Sequence, residues 1–360
     1  MKPDGKKVYI APEKCDIEAS EFATKKKKEI IDNSRNDICP IPDEPISKNE
    51  LRRISPPLYG METWGDIYSP RQSLVLATLS EYCLKAIDLI EGDVHYVTAI
   101  GTLLSILINR QADYLSSLTV WSSGGEFVAH TFGRQALPMV WEWPETNCFA
   151  QTSGNWEGTI AWVTRVIETN SISYCTNATV EMASATEHPL PNDSVSAWIT
   201  DPPYYDAVPY SHLSDFFYTW LKRTIPKQNR FLVKSNLVVK DKEIVVDRSH
   251  HLSTSKKDIR FYEDQLKIAF AEGRRILAPS GIGLLVFASK TTASWEAILQ
   301  ALVDSSWIIT GSWPIDTERE ARVSARGQAR LASSIHLVCR PRENPDGSIR
   351  TDDIGDWRDV

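Results

Sequence analysis

Apolar residues recur at helical steps of three and four from Ser69 onward, at Leu76, Leu79, Cys83, Ile87 and Ile90. Ser69 then serves as the N-cap and Pro70 as the first helical residue. A second long helix is predicted from Val94 to about Leu118. Its uncharged stretch Tyr96–Asn109 is too short to span a bilayer and reads as a buried helix. Gly124-Gly125 breaks this pattern, an irregular aromatic stretch follows over 130–147, and another helix is predicted from Asn155 to about Ile167.

Beyond Asn170 the texture changes to alternating short elements. Strands are predicted at Ala178–Met182, Ser194–Thr200, Ile282–Ala288, Trp307–Trp313 and Ser334–Arg340. Helices are predicted at Ser211–Arg223, Arg260–Leu277 and Ser294–Val303, with a polar stretch running up to Asp258. This alternation implies an α/β fold with a mostly parallel sheet. Four segments follow: an extended, loop-rich 1–58, a helical region 59–169, an α/β region 170–342 and a polar tail 343–360. In the first, Pro40, Pro42, Pro45, Pro56 and Pro57 punctuate the chain, and Lys25–Lys28 reads as a solvated helix face.

Composition narrows the class. Of 360 residues, 42% are hydrophobic and 24% charged, enough apolar content for a sizeable core. The polar start, MKPDGKKVYIAPEK, lacks the apolar run of a signal peptide. The six cysteines are widely spaced with no CxxC pair, which predicts free thiols, a cytoplasmic setting and no metal. The seven histidines show no metal-ligand spacing. Net charge is −7, so a nucleic-acid partner requires a local basic face. Lys222 to Arg260 supplies one candidate, with eleven Lys/Arg against four Asp/Glu. Lys234 and Lys240 are the expected phosphate contacts there, beside the alternative of a solvated loop. Arg322, Arg326 and Arg330 precede the last strand in a Ser/Gly-rich loop, and Arg326 is a further candidate contact.

The segment with the most specific chemistry is Ser196-Ala-Trp-Ile-Thr-Asp-Pro-Pro-Tyr-Tyr-Asp206. An apolar strand runs directly into Asp201-Pro202-Pro203-Tyr204, and open α/β sheets bind ligands beyond the carboxyl ends of their strands. An exocyclic amine on an aromatic ring is a poor nucleophile, because its lone pair is delocalised. Attack by that nitrogen develops positive charge on it. The Asp201 carboxylate and the Pro202 carbonyl are two acceptors for its N–H groups. The prolines stiffen the backbone that aims them. Tyr204 is placed to stack on an extruded base, and Tyr205 and Asp206 to extend the same pocket.

These residues resemble the DPPY-type adenine-specific DNA methylases. The resemblance is closest to the C-terminal part of a long type that also has an N-terminal domain of unknown function and a zinc ribbon. It runs through Tyr59-Gly-Met-Glu-Thr-Trp-Gly-Asp66, Ser69-Pro-Arg-Gln72, Thr131–Met139, Asp201–Asp206, Gly281–Lys290 and Ala332–Arg342, and so covers most of the chain. It implies a Rossmann-like class I methyltransferase sheet, S-adenosyl-L-methionine as cofactor, and transfer to N6 of a flipped adenine in DNA. A role in restriction-modification or phage defence is implied as well. Ser184-Ala185 matches the acidic-Ala turn beside the cofactor, with Ser184 where the family has Asp; Asp201 is expected to face the cofactor too. No Gly-rich loop follows an apolar strand, and Gly124-Gly125 lies between helices. The sheet is therefore expected to lack its first strands, with a second chain or a preceding segment supplying the cofactor loop.

Two packing expectations complete the reading. Leu213, Phe217, Trp220 and Leu221 form a packing stripe, and Arg134 and Gln135 hold buried structural hydrogen bonds. Two functions stand at this point. One is an amino-methyltransferase acting on adenine N6, with cytosine N4 or an RNA amine as variants. The other is a catalytically silent DNA-binding or assembly subunit of a defence complex.

Overall fold

The computed structural model describes residues 10–34, 38–171, 178–205, 208–247, 257–289, 292–316, 333–344, 346 and 348. The chain forms two units, one of Met1–Thr176 with Tyr210–Lys240, the other of Asn177–Pro209 with Asp241–Val360. The helix expected at Ser211–Arg223 accordingly belongs to the first unit, whereas the sequence suggested one continuous region over 170–342.

Among the described residues the first unit is built on five α-helices: α1 (Lys14–Asn33), α2 (Pro70–Asp88), α3 (Val94–Tyr114), α4 (Trp156–Ser171) and α5 (Tyr210–Thr224). A short hairpin, β1 (Val120–Ser122) with β2 (Phe127–Ala129), falls between α3 and α4 in the chain. The start of α2 falls where expected, because Ser69 and Gln72 form a capping box that satisfies two otherwise orphaned N–H groups. Helix α1 corrects the expectation of an extended segment over 1–58. Its sequence is largely polar, and only Ala23 is buried, so it has little stripe to read. The lysine run on α1 is not wholly solvated either. The Lys27 ammonium donates to the Gly65 and Tyr68 carbonyls at 3.0 and 3.1 Å, and partial burial pushes its pKa down.

Trp64, Ile67, Tyr68, Leu76, Ile108, Phe216 and Trp220 are buried in this unit. Edge-to-face contacts join Trp64 to Phe216 and Tyr68 to Trp220. Gly101 of α3 permits a close approach: a Cβ there would lie 2.5 Å from Pro226 Cγ and 2.9 Å from Ile87 Cδ1. Buried Arg223 donates to the Cys39 and Ile41 carbonyls and to Asp43 and Glu44, strapping the proline-rich segment onto α5. Burial pushes the Glu44 carboxyl up, but Arg223 and Lys222 outweigh it and hold Glu44 below its ordinary value.

Among the described residues the second unit holds a four-stranded sheet in the order β3 (Val195–Thr200), β4 (Leu277–Phe287), β6 (Ser333–Pro341), β5 (Trp307–Asp316). Helices α6 (Ile259–Ile276) and α7 (Thr292–Asp304) accompany it. Only β3 and β4 pair in parallel; β6 runs antiparallel to both its neighbours. Since β4 and β5 both oppose β6, three of the four strands run the same way, as expected; the departure is that the last strand enters antiparallel between β4 and β5 rather than joining an edge. Strand β4 also starts earlier than expected, at Leu277. Its register with β3 jumps between Val195↔Leu277 and Ala197↔Ile282, where Pro279 has no N–H to give to a ladder.

One face of this sheet is packed, and the other carries exposed apolar side chains. Tyr262, Leu266 and Phe270 of α6 and Ile298 and Leu302 of α7 bury Leu285, Phe287, Trp307, Leu337 and Cys339. Trp198 of β3 joins this side, stacked on Trp307 at 4.9 Å. Its indole lies against Gly273 of α6, where a Cβ would sit 2.4 Å from the ring. Strand alternation sends Ile199, Ile282 and Trp313 to the opposite face, and all three are exposed. Among the described residues, the second edge of β3 pairs with no strand.

Among the described residues, no helix is long and apolar enough to cross a membrane, and no cluster of metal-ligating side chains is present. Cys15, Cys39, Cys83, Cys148 and Cys339 are free thiols, and Cys175 lies outside the described residues.

Candidate functional site

Strand β3 delivers Asp201 at its carboxyl end, as the sequence pattern predicts. The packing of Trp198 anchors the strand, and the chain leaves it through Pro202, which is buried, and Pro203. Asp201 itself is exposed, so its carboxylate points away from the core. The Tyr204 hydroxyl donates to Asp201 Oδ1 at 2.6 Å. The Tyr204 ring stands edge-on to buried Phe287, with centroids 5.1 Å apart. Tyr204 is thus half-buried against the sheet, and its hydroxyl orients the carboxylate.

The backbone beyond is held from below. The Tyr262 hydroxyl of α6 donates to the Pro203 carbonyl at 2.6 Å. Burial raises the Tyr262 phenol to about 12, so it is a standing donor at neutral pH. Tyr205 adopts φ 51°, a left-handed conformation that L-residues rarely take. Three contacts hold it there: the Val246 N–H donates to its carbonyl at 3.1 Å, its ring packs on Tyr262, and its hydroxyl donates to Glu263 at 3.4 Å. Burial, and then the Glu263 charge, push the Tyr205 phenol up. Asp206 lies outside the described residues.

Tyr262, Glu263 and Phe287 were not singled out from sequence. Tyr262 occupies the buried stripe of α6 with Leu266, Phe270 and Gly273. A single hydroxyl in that stripe was the available signal, but its partner lies 59 residues away.

The Ser184-Ala185 segment takes a different form from the one expected. No strand covers 178–182; Val180 and Met182 are exposed instead. A strand there needs a neighbour, and the described edge of β3 has none. Ser184 forms a tight turn in which its hydroxyl accepts from the Thr186 N–H and bonds the Thr186 hydroxyl at 2.8 Å. The chain that follows is fixed to α6. The His188 N–H donates to Glu272, and Arg275 donates to the His188 and Leu190 carbonyls and to Glu272.

The basic residues from Lys222 to Arg260 divide: Lys222, Arg223, Lys240 and Lys257 have internal partners, whereas Lys227, Arg230, Lys234, Lys242 and Arg260 are exposed. Lys222 and Arg223 pair with Glu44 in the first unit, and Lys257 donates to the Glu243 carbonyl in the second. Lys240 donates to buried Asp215 at 2.8 Å and to the Val238 carbonyl. Lys234 is exposed, as are Lys227 and Arg230 in the same unit. Arg326, with Arg322 and Arg330, lies outside the described residues. Arg134 and Gln135 are exposed, which corrects their expected burial: they sit on a turn beside the Ile54↔Leu137 bridge rather than beneath it.

No family model matches the chain, and no curated protein matches it. Among solved structures, the chain is similar to a Thermus thermophilus protein assigned as a DNA modification methylase, with 14% identity and a TM-score of 0.25. The alignment covers 47% of this chain and 53% of that one, so it spans about half the length of the relative.

Proposed function

We propose that this chain carries the amine-gripping part of an S-adenosyl-L-methionine-dependent DNA methyltransferase. Its target is the exocyclic N6 of an adenine rotated out of the duplex, in cytoplasmic restriction-modification or phage defence. The observation that carries this reading is the exposed Asp201 carboxylate at the end of a parallel strand, followed by a buried proline and braced by Tyr204 and Tyr262. Asp201 accepts one N–H of the amine and the Pro202 carbonyl accepts the other. As the nitrogen lone pair leaves ring conjugation, both acceptors stabilise the growing positive charge without having to reorient. Pro203 and Tyr262 keep the acceptor geometry fixed.

The cofactor supplies an electrophilic methyl group when bound. The described residues do not by themselves form its cradle: Ser184 is closed on Thr186, and no described strand with a glycine turn pairs with β3. A second chain supplies that strand and turn in this reading. Two features support it. Among the described residues the second edge of β3 pairs with no strand, and proteins normally cover such an edge. The sheet also exposes the apolar side chains of Ile199, Ile282 and Trp313, of the kind a partner surface covers. The incomplete cradle equally favours a second reading, a silent DNA-binding subunit, and the same experiment decides between them.

The test is methyl incorporation from labelled cofactor into adenine-containing duplex by the complex isolated from its host, comparing wild type with Asp201→Ala. Loss of N6-methyladenine in the variant is expected. Equal incorporation removes Asp201 from the chemistry, N4-methylcytosine as product changes the target base, and no incorporation by wild type leaves the silent-subunit reading. Gel filtration with cofactor calorimetry on the chain alone tests the second chain. A monomer that binds cofactor at micromolar affinity overturns it.

A further inference from the structure

A cavity of about 380 Å³ lies in the first unit at the start of α2. Its volume falls within the range of small-molecule sites, roughly 300–1,000 Å³. Gln72 and Thr146 line it and are only 2% and 8% exposed. The Gln72 carbonyl oxygen is consumed by the capping box, accepting from the Ser69 N–H at 2.9 Å. That bond fixes the amide orientation, and the amide nitrogen has no hydrogen-bond partner among the described residues. The Thr146 hydroxyl has none either. A buried donor without an acceptor costs about 1–3 kcal/mol, so two in one cavity point to an acceptor that arrives from outside.

The rest of the lining narrows the chemistry. Val75, Leu115 and Cys148 give apolar walls, and Phe149 presents an aromatic ring that is 72% exposed. The charged groups are Asp16, Glu145 and Arg71, with Arg71 paired to Glu145 and the other Glu145 oxygen bonded to the Ser69 hydroxyl. Two carboxylates against one guanidinium disfavour an anion. Two donors, apolar walls and a ring for stacking fit a neutral, flat heterocycle with adjacent acceptors.

We propose that this cavity is a nucleobase site, in which Gln72 Nε2 and Thr146 Oγ1 donate to acceptors on the base edge and Phe149 stacks on its face. It is lined wholly by first-unit residues and does not rest on the reading of Asp201. The same chemistry is offered by a free nucleoside and by an unpaired base within a single strand.

Calorimetric titration of the full chain with the four deoxynucleosides, and with a short single-stranded oligonucleotide and its abasic counterpart, tests it. Thr146→Val keeps the side-chain shape and removes the hydroxyl. Gln72→Glu keeps the acceptor for the Ser69 N–H and removes the donor. Each is expected to weaken binding about tenfold, the equivalent of about 1.4 kcal/mol, with thermal melting confirming that the variants fold. Nucleoside binding weakened by Thr146→Val assigns a free ligand. Binding of the oligonucleotide alone, lost in the abasic form and weakened by Thr146→Val, assigns a base in a strand. Absence of binding at millimolar ligand, or binding that Thr146→Val leaves unchanged, overturns the proposal.

Discussion

The Tyr204 hydroxyl and the Asp201 carboxylate are joined by a 2.6 Å hydrogen bond at the mouth of the candidate site. The tyrosine is thereby a positioning residue for the carboxylate, while its ring stays edge-on to Phe287. Tyr204→Phe keeps the ring contact and frees one carboxylate oxygen. In the proposed methyltransferase it lowers kcat roughly tenfold with KM little changed, consistent with loss of a hydrogen bond to a charged group. Asp201→Asn removes the charge as well and costs about 10²–10³ in kcat. Steady-state kinetics on both variants check the order. An Asp201→Asn enzyme as active as Tyr204→Phe contradicts it.

Tyr262→Phe deletes the donor to the Pro203 carbonyl and leaves the ring in the core of the second unit. The expected loss of stability is about 1–2 kcal/mol, from one partly buried carbonyl without its partner. Because that bond also fixes the turn after Asp201, activity falls by more than the lost folded fraction explains. Urea denaturation measured alongside the rate separates the two effects.

Gly273→Ala tests the contact that seats β3. The new methyl lies 2.4 Å from the Trp198 indole, so the ring or the helix must shift. Trp198 is stacked on Trp307 and edge-on to Phe270, which leaves it little room. Overpacking of this kind costs about 1–3 kcal/mol. A lowered unfolding midpoint with altered tryptophan fluorescence is expected, and Gly273→Ala with Trp198→Phe should recover part of the loss.

What was legible in the sequence follows from the range of the forces involved. The start of α2 could be read to the residue, because Ser69, Pro70 and Gln72 act within one turn. Strand β3 and the position of Asp201 at its end were legible for a similar reason: a short apolar run meets two prolines. Helix α1 was not, because it buries too little to leave a stripe. The antiparallel entry of β6 depends on partners far along the chain, which periodicity does not encode. Tyr262 was hidden likewise, since its hydroxyl matters only once α6 lies beneath Pro203. The basic count after Lys222 could not be resolved into a face from sequence, because Arg223, Lys240 and Lys257 are held inside by carboxylates and carbonyls while Lys227, Arg230 and Lys234 are exposed.

That last point separates two lysines that look equivalent in sequence. Lys234 is exposed, whereas Lys240 bonds the buried Asp215 carboxylate. Burial pushes the Asp215 carboxyl up, and Lys240 works against that shift. Lys240→Met leaves the carboxylate without its cation and costs about 3–5 kcal/mol of stability. Lys234→Glu leaves stability nearly unchanged and, if it meets a phosphate, reduces the slope of log affinity for DNA against log salt by about one. Thermal melting and DNA titrations at several salt concentrations read the two effects independently.

The Glu272–Arg275 pair makes the attachment of the 188–192 segment sensitive to acid. Hydrogen bonding from Arg275, then from the His188 N–H, depresses the Glu272 carboxyl from an ordinary value of 4.5 to about 2. A carboxyl whose folded pKa is depressed contributes stability that is complete above its unfolded value and is lost as pH falls towards the folded one. The attachment is therefore intact at neutral pH and weakens between about pH 4.5 and 2. Hydrogen exchange at the His188 amide, which donates to Glu272 at 2.9 Å, reports this directly. Protection relative to the intrinsic rate should fall in that window in the wild type. Glu272→Gln should show low protection across the whole pH range, because the neutral amide binds Arg275 weakly. Equal, pH-independent protection in both proteins would show that the segment is held by the Arg275 bonds to the His188 and Leu190 carbonyls alone.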